Sequence, residues 1–306
     1  MKILIFGRGV ISTQYAYALE QAGHTIAFYV RPGKKADTIP LNIYIKGKYI
    51  DTMWKVTMQE ELPVNHDYDL IMVSVQHYQF ANVAAFLADK ASAATILIFN
   101  NFWKDPVEEA ALLPQAQLAW GFPMAAGGFD QQGVLKGALF GSVHFGTFGT
   151  LPTAREMAVR QVFKTSGFRI IEHRDFKTWL SIHFVVNAGL LSQALHAGSL
   201  GLLLASKKHG KQAVLNVREL FPVLQQRGIK VQGEAALFKL PPWLVSLLMR
   251  TVMKLNAGFR HSLLNHSNAE EVRSYGQEVL AEARAKGIAV PRLEATAHFF
   301  DLKDCR

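Results

Sequence analysis

The first thirty residues of the chain follow a strand–turn–helix–strand order. The short apolar run 2–6 ends at a Gly-Arg-Gly turn, and a helical pattern then extends from about Val10 to Ala22. Gly23 is typical of a residue that ends a helix, and the segment 25–30 is rich in residues that favour strands. This order predicts a strand, a helix and a second strand packed together at the start of the chain.

The turn after the first strand carries a glycine pattern with a chemical meaning. Residues 7–12 match G-x-G-x-x-G/A except at the last position, where Ser12 stands. In this pattern the first glycine makes a tight turn, the second lets the backbone approach a pyrophosphate, and the last position requires a small side chain. Because helix N-termini favour phosphate, we predict that Gly7, Gly9, Val10 and Ile11 bind a dinucleotide.

The end of the second strand indicates which nicotinamide cofactor is bound. Enzymes that use NAD usually have an acidic residue there for the ribose hydroxyls, whereas arginine suits the 2′-phosphate of NADP. In this chain Arg31 follows the strand, Lys34 and Lys35 come next, and the first acid is Asp37. We therefore predict NADPH as the cofactor and Arg31 as its main contact. Each lysine either supports that contact or is simply exposed on the loop.

Strand and helix patterns alternate through the first half of the chain and then give way to long helices. Further strand-like segments are 69–75, 95–100, 117–122 and 168–171, with a helical pattern at 151–166 and glycine-broken hairpin strands at 133–149. The later helical segments are 177–206, 212–227, 242–264 and 270–286, with a short helix near Arg292. Apolar strands separated by helices predict a parallel sheet covered on both faces. The predicted fold class is α/β, with a Rossmann-type parallel sheet domain at 1–172 and an all-α domain at 173–306.

Charge and composition argue against several classes of protein. The net charge is +9 with neutral histidines, which favours anionic partners. The short basic runs at 34–35 and 207–211 are not interleaved with aromatic residues, so we expect no nucleic-acid partner and favour a small acidic ligand. Residues 178–206 contain no Asp, Glu, Lys or Arg, but their histidines and amides indicate a buried helix. We therefore expect no membrane partner.

Cysteine and histidine usage narrows the chemistry further. The single cysteine, Cys305, excludes an intramolecular disulfide and a cysteine-cluster zinc site. Together with the lack of a secretory pattern at the N-terminus, this makes the cytoplasm the default expectation. The eleven histidines form no H-E-x-x-H motif and no carboxylate cluster accompanies them, so we predict no metal site.

Several segments together resemble the ketopantoate reductase (2-dehydropantoate 2-reductase) family. The resemblance extends over nearly the whole chain and rests on MKILIFGRGVIS, Arg31, DLIMVSVQHYQF, IFNNFW, Gly121–Gly127 and ARAKGIAVP at 283–291. It implies a Rossmann domain, a helical domain for the substrate or for dimerisation, and reduction of a branched 2-oxo acid by NADPH in the cleft between them. It also implies a role in pantothenate biosynthesis.

The same resemblance assigns further cofactor contacts in the first domain. Gln76 stands where the fourth-strand segment of the family usually has a lysine. Asn100 stands in the turn near the nicotinamide ribose, and Ala125 stands in the loop beside the nicotinamide. We expect these three residues to contact the cofactor.

The family's catalytic lysine is missing from this chain. In the family it lies on the first long helix of the second domain, and asparagines follow it at four and eight residues. If Asn187 is the first of these asparagines, His183 takes the lysine position. If Asn187 is the second, His183 takes the first asparagine position and Trp179 takes the lysine position. The late glutamate of the family matches Glu271.

A histidine in this region suits the chemistry that the resemblance implies. Hydride addition to a carbonyl carbon places negative charge on the oxygen, which a positioned acid must protonate, and imidazole can do so near neutral pH. His183 and Asn187 are four residues apart and share a helix face. We predict His183 as the acid, Asn187 as the residue that orients the carbonyl, and Glu271 as a partner of the substrate or of the imidazole.

Two further hypotheses remain open from the sequence. The chain could be a non-catalytic NADPH-binding sensor that keeps the cofactor cradle. Apolar surfaces on the helical domain would also permit a homodimer.

Overall fold

The computed structural model describes residues 1–300, so Cys305 lies outside the described part of the chain. The chain divides into two units, Met1–Phe176 and Lys177–Arg306. Within the described residues, every strand belongs to the first unit and the second unit is helical.

The strands of the first unit form two sheets. In chain order they are β1 (Lys2–Phe6), β2 (Thr25–Tyr29), β3 (Thr38–Ile45), β4 (Lys48–Lys55), β5 (Met58–Gln59), β6 (Leu70–Val73), β7 (Thr95–Ile98), β8 (Leu118–Phe122), β9 (Ala125–Phe129), β10 (Leu135–Leu139), β11 (Ser142–Gly146) and β12 (Arg169–His173). Eight strands form one sheet in the order β12-β11-β8-β7-β6-β1-β2-β5. The other four form a second sheet in the order β4-β3-β10-β9.

The direction of the strands in the larger sheet determines where a ligand can bind. Six neighbouring strands of this sheet run parallel: β8, β7, β6, β1, β2 and β5. Strands β11 and β12 are parallel to each other, and β11 is antiparallel to β8. From β1 the chain passes to β2 on one side, and it later returns to place β6 on the other side of β1. The carboxyl ends of β1 and β6 therefore form the switch point at which doubly wound sheets bind ligands.

Helices cover the larger sheet and complete the core of the first unit. They are α1 (Val10–Gln21), α2 (Phe80–Leu87), α3 (Pro106–Glu109) and α4 (Ala154–Thr165). Tyr15 of α1 is fully buried, and its ring centroid lies 5.3 Å from that of Phe99 and 5.7 Å from that of Phe163. Burial raises the pKa of Tyr15, so the hydroxyl stays neutral and accepts the Met124 N–H at 3.0 Å.

The smaller sheet differs from the sequence prediction in two places. The β3–β4 hairpin was not predicted; Lys46 and Gly47, both with positive φ, form its two-residue turn. The alternation of Ile39, Leu41 and Ile43 with other residues, and the Lys-Gly turn that follows, could have revealed this hairpin. The predicted hairpin within 133–149 is wrong. Strand β10 pairs with β9 in the smaller sheet, and β11 pairs with β8 in the larger one. A pattern of apolar residues and glycines identifies strands here but not their partners.

The second unit consists of ten helices within the described residues. They are α5 (Phe176–Ala197), α6 (Leu200–Ala205), α7 (Lys207–Glu219), α8 (Phe221–Gln226), α9 (Glu234–Leu237), α10 (Pro242–Leu255), α11 (Ala257–Leu264), α12 (Ala269–Ala285), α13 (Pro291–Glu294) and α14 (Ala297–Phe300). No helix among residues 1–300 has the length and apolar character needed to cross a membrane.

Three of the predicted long helices are each split in two. Gly198 adopts a φ of +88°, and the Ser199 hydroxyl then caps α6 by accepting the Leu202 N–H. Asn256 caps α11 in the same way, accepting the Phe259 N–H at 2.9 Å. A proline in the first turn of α8 separates it from α7. Local capping thus interrupts an apolar periodicity that continues across each break.

The variant Gly189→Ala tests the close packing of α5 against α7. A Cβ at this glycine would lie 2.6 Å from the Cα and 2.7 Å from the backbone nitrogen of Val217. Alanine is ordinarily better than glycine inside a helix by about 1 kcal/mol. Overpacking reverses that sign here, and we expect a loss of about 1–3 kcal/mol in the free energy of unfolding, measured in urea.

The control for this substitution is Gly141→Ala. A Cβ at Gly141 meets nothing within 4 Å, so the variant should have nearly wild-type stability. A stabilised Gly189→Ala protein would contradict the packing described above.

Candidate cofactor and active site

The turn after β1 has the backbone geometry that its glycines predict. Gly7 adopts a φ of +85°, a conformation that side chains disfavour, and its N–H donates to the Tyr29 carbonyl at 2.9 Å. Gly9 is the N-cap residue of α1, and a Cβ there would meet Ser12 Oγ at 3.3 Å and the Ser74 carbonyl at 3.6 Å. Val10 and Ile11, both half-buried, begin the helix. A Cβ at Gly7 would meet nothing within 4 Å, whereas the missing side chain of Gly9 lets the turn pack closely against Ser12 and Ser74.

Ser12 is the departure from the glycine pattern, and its hydroxyl has a defined role. Ser12 Oγ accepts the Gly9 N–H at 3.0 Å and lies 3.1 Å from the Gly9 carbonyl oxygen and 3.3 Å from the Gly7 carbonyl oxygen. The serine, at the third position of α1, therefore satisfies the N–H of the N-cap residue with its side chain, as the N3 residue of a capping box does. The Gly9 N–H is therefore used inside the protein.

Two buried amide side chains, Asn100 and Asn101, follow the carboxyl end of β7. Asn100 follows β7, is 4% exposed, and donates from Nδ2 to the Val75 carbonyl at 2.7 Å. Asn100 Oδ1 and both side-chain polar atoms of Asn101 are buried without a hydrogen-bond partner among residues 1–300. Unsatisfied buried amides are costly unless a ligand completes them. Their donors and acceptors match the ribose hydroxyls and the carboxamide of a nicotinamide nucleotide.

The other two residues expected at the nicotinamide lie on different elements. Gln76 is half-buried at the start of the short 3-10 turn that precedes α2. Ala125 begins β9 and pairs with Leu139 of β10. The neighbouring Met124 N–H binds the hydroxyl of Tyr15, and this bond ties the start of β9 to α1.

Arg31 lies in an exposed turn at the carboxyl end of β2. Its carbonyl accepts the Lys34 N–H at 3.1 Å, and its guanidinium makes no ion pair or hydrogen bond with residues 1–300. Glu60, which the sequence analysis missed, approaches the same turn and accepts the Gly33 N–H at 2.8 Å. The turn therefore carries both an unpaired cation for a phosphate and a carboxylate that could bind ribose hydroxyls.

The helical unit brings a carboxylate to His183. His183 Nδ1 lies 2.7 Å from Glu234 Oε1, and the imidazole stacks on the Trp179 ring at a centroid distance of 5.2 Å. Trp179, His183 and Asn187 follow one another at four-residue intervals along α5, so they share one face. Asn187 is half-buried on that face. The pairing fixes the orientation of the ring and places a negative charge beside it.

Glu271, predicted as a partner of the imidazole, has another histidine beside it. Its Oε2 lies 3.5 Å from Nε2 of His266, a residue to which the sequence analysis gave no role. The carboxylate found on His183 is instead Glu234, which the sequence analysis missed. One signal was available, because Glu219 and Glu234 are the only acids between residues 177 and 269. A rare carboxylate in a basic segment is a candidate for a specific partner.

Comparison with known proteins relates the first half of the chain to one protein family. Residues 3–150 match the family model "Ketopantoate reductase PanE/ApbA". This match confirms, for these residues, the resemblance expected from the sequence. No curated protein sequence matches the chain significantly.

Solved structures extend the similarity to the rest of the chain. A D-mandelate dehydrogenase in complex with NADH and anilino(oxo)acetate is 16% identical with a TM-score of 0.72, over 98% of this chain and 97% of that one. The 2-dehydropantoate 2-reductase of Geobacter metallireducens GS-15 is 15% identical with a TM-score of 0.72, over 98% and 99%. The dimeric ketopantoate reductase of Staphylococcus aureus is 16% identical with a TM-score of 0.64, over 98% of each chain. The chain has the ketopantoate reductase fold, and the predicted fold class is confirmed.

The variant Ser12→Ala tests the capping role of the serine hydroxyl. It keeps the small size that the position requires but removes the acceptor of the Gly9 N–H. We expect a loss of about 0.5–1.5 kcal/mol in the free energy of unfolding, measured by denaturant titration without ligand. Ser12→Thr retains the hydroxyl and serves as its partner variant. Unchanged stability of Ser12→Ala would contradict the capping role.

Proposed function

We propose that this chain is an NADPH-dependent reductase of a small 2-oxo acid or a related carbonyl compound, similar to 2-dehydropantoate 2-reductase. The family match over residues 3–150 and the fold shared with NAD(P)-dependent reductases support the reaction class. The observation that carries the proposal is the His183–Glu234 pair at 2.7 Å, on the helix where the resemblance places the family's catalytic lysine.

The residues of the first unit fit a nicotinamide dinucleotide. The open glycine turn suits a pyrophosphate, and the unsatisfied amides at the end of β7 suit polar groups of the nicotinamide half. When bound, NADPH supplies the hydride. The residues proposed to hold it are Gly7, Gly9, Val10, Ile11, Arg31, Gln76, Asn100 and Ala125.

The helical unit supplies the proton and orients the carbonyl. As the carbonyl carbon gains a hydride, the oxygen gains a proton from His183, and the product is a 2-hydroxy acid or the corresponding alcohol. Asn187, on the same helix face, donates a hydrogen bond that orients the carbonyl oxygen. Glu234 holds Nδ1, so the proton leaves from Nε2. Glu271 remains a candidate for contacting the substrate.

The missing lysine bears on the identity of the substrate. A lysine supplies a permanent cation for a carboxylate, whereas an imidazole paired with a glutamate provides a weaker and reversible charge. We therefore expect a substrate that is less acidic than ketopantoate or differently shaped. We also propose that the protein prefers NADPH to NADH, is located in the cytoplasm and forms a homodimer.

The variant Arg31→Ala tests the preference for NADPH. Loss of the guanidinium removes a charge-assisted bond to the 2′-phosphate, and we expect the Kd for NADPH to rise about tenfold or more while that for NADH changes little. The measurement is fluorescence titration with each cofactor. Glu60→Gln, beside the same turn, is the comparison variant and should not weaken NADPH binding, because a carboxylate suits ribose hydroxyls and not a 2′-phosphate. A larger loss for NADH than for NADPH would assign the turn to NADH.

The variant His183→Ala tests the proposed acid. Without a proton donor, we expect kcat with the best member of a panel of 2-oxo acids, including ketopantoate, to fall about 10²- to 10⁴-fold. The measurement is NADPH consumption by the purified protein, with the Kd for NADPH measured in parallel and expected to stay unchanged. The control is His196→Ala, an exposed histidine on the same helix.

The variant Glu234→Gln separates positioning of the imidazole from catalysis itself. It keeps a hydrogen-bond acceptor but removes the charge, so we expect a smaller fall in kcat than for His183→Ala. Wild-type turnover by His183→Ala would refute the assignment of the acid. NADPH binding without turnover of any panel member by the wild-type protein would favour the non-catalytic sensor.

A further inference from the structure

The net positive charge of this protein comes from one segment. Residues 177–269 contain eleven lysines and arginines but only two acids, giving a net charge of +9, equal to that of the whole chain. The remaining residues contain 22 basic and 22 acidic side chains. The two acids are both engaged, Glu219 by the backbone N–H groups of Arg292 and Leu293 and Glu234 by His183. Helices α6–α11 therefore present cations with few anions to neutralise them.

Helix α10 within this segment presents an exposed apolar face. Its side chains that are between 42% and 82% exposed are Trp243, Leu247, Leu248, Val252 and Leu255. The opposite face, with Val245, Ser246 and Met253, is buried against the other helices. One face of α10 therefore packs inside the unit, and another face exposes apolar side chains to solvent. Exposed apolar patches of this kind mark interaction sites.

Basic side chains border this apolar face. Trp243, Leu247, Arg250 and Lys254 follow the spacing i, i+4, i+7, i+11, so they lie in one row along α10. The long stems of arginine and lysine can lie along an apolar surface while their charges reach outward. Between residues 235 and 269 there is no acidic residue at all. Apolar and cationic groups are therefore interleaved on one side of the helix.

A second basic helix end packs beside the middle of α10. A Cβ at Gly210 would lie 2.4 Å from Ser246 Oγ, so α7 approaches α10 closely at this point. The neighbouring residues Lys207, Lys208 and Lys211 on α7 are exposed. The cationic border of the apolar face thus includes α7 as well as α10.

We propose that the α10 face docks onto the surface of an anionic lipid bilayer, with α10 lying in the plane of the interface. Interfacial helices combine tryptophan and leucine on one face with a lysine and arginine border, and anionic lipids attract the border. A second copy of the chain would bring the same uncompensated cations together. A nucleic acid would leave the leucine face exposed. Such docking would make an anionic membrane a partner of the protein, contrary to the expectation from the sequence.

The test uses the full-length protein with large unilamellar vesicles. Vesicles of phosphatidylcholine containing 30% phosphatidylglycerol should co-sediment the protein, whereas vesicles of pure phosphatidylcholine should bind at least about tenfold less, because roughly 1 kcal/mol is expected per basic residue near the surface. Binding to the anionic vesicles should fall as salt is raised. Trp243 should shift its emission to the blue and be quenched by brominated lipid. Of the other four tryptophans, Trp54, Trp103 and Trp120 are buried and Trp179 is half-buried against His183, so they contribute little to that shift.

Two variants distinguish the apolar face from general charge attraction. Leu247→Ser combined with Leu255→Ser removes apolar contact from exposed positions and should weaken vesicle binding at least about tenfold. Arg250→Glu combined with Lys254→Glu should abolish the preference for anionic vesicles. Matched controls in the first unit are Leu151→Ser, at an exposed position, and Lys104→Glu, whose side chain is 74% exposed. Both should bind vesicles as the wild type does.

Each contrary result overturns the proposal. Failure of the wild type to bind anionic vesicles overturns it, and so does wild-type binding by the Leu247→Ser, Leu255→Ser variant. A concentration-dependent dimer that this variant converts to monomer in light scattering would assign the face to a second copy. Salt-sensitive binding of single-stranded DNA in preference to vesicles would assign the cations to nucleic acid.

Discussion

The central strands β1, β6 and β7 are buried along nearly their whole length, so the larger sheet can present functional groups only where these strands end. A parallel strand covered on both faces has no side of its own for polar chemistry. The glycine turn after β1, the exposed arginine after β2 and the buried asparagines after β7 all lie at carboxyl ends. Because parallel strands end at the same edge, one constraint on burial gathers groups from segments that are distant in sequence.

This constraint explains which parts of the fold the sequence could predict. The first strand, the first helix and the glycine turn follow from local patterns, and the structure has them within a residue of the predicted bounds. Gly23, predicted to end the first helix, adopts a positive φ. The split of the long helices was missed, because a cap such as Asn256 adds only a local hydrogen bond to an uninterrupted apolar periodicity. The separation of β10 and β11 into two sheets was missed because strand partners depend on tertiary packing.

The candidate site shows the same division between local and tertiary information. His183 and Asn187 could be named because four-residue spacing on a helix is local. Glu234 could not be assigned to His183 from the sequence, since 51 residues separate them. Glu271 instead has His266 beside it, only five residues earlier in the chain. A sequence supplies candidates for a catalytic group more readily than it supplies the partner that orients it.

The location of the charge is more informative than its total. A net charge of +9 alone is compatible with nucleic acid, an acidic ligand or an anionic membrane. The net positive charge lies in residues 177–269, next to the exposed apolar face of α10. This location distinguishes among the three partners. A small acidic substrate needs one or two cations at a recessed site, and it does not explain five exposed apolar side chains on one helix. An anionic bilayer accounts for both features, because the same surface rewards buried apolar area and peripheral positive charge together.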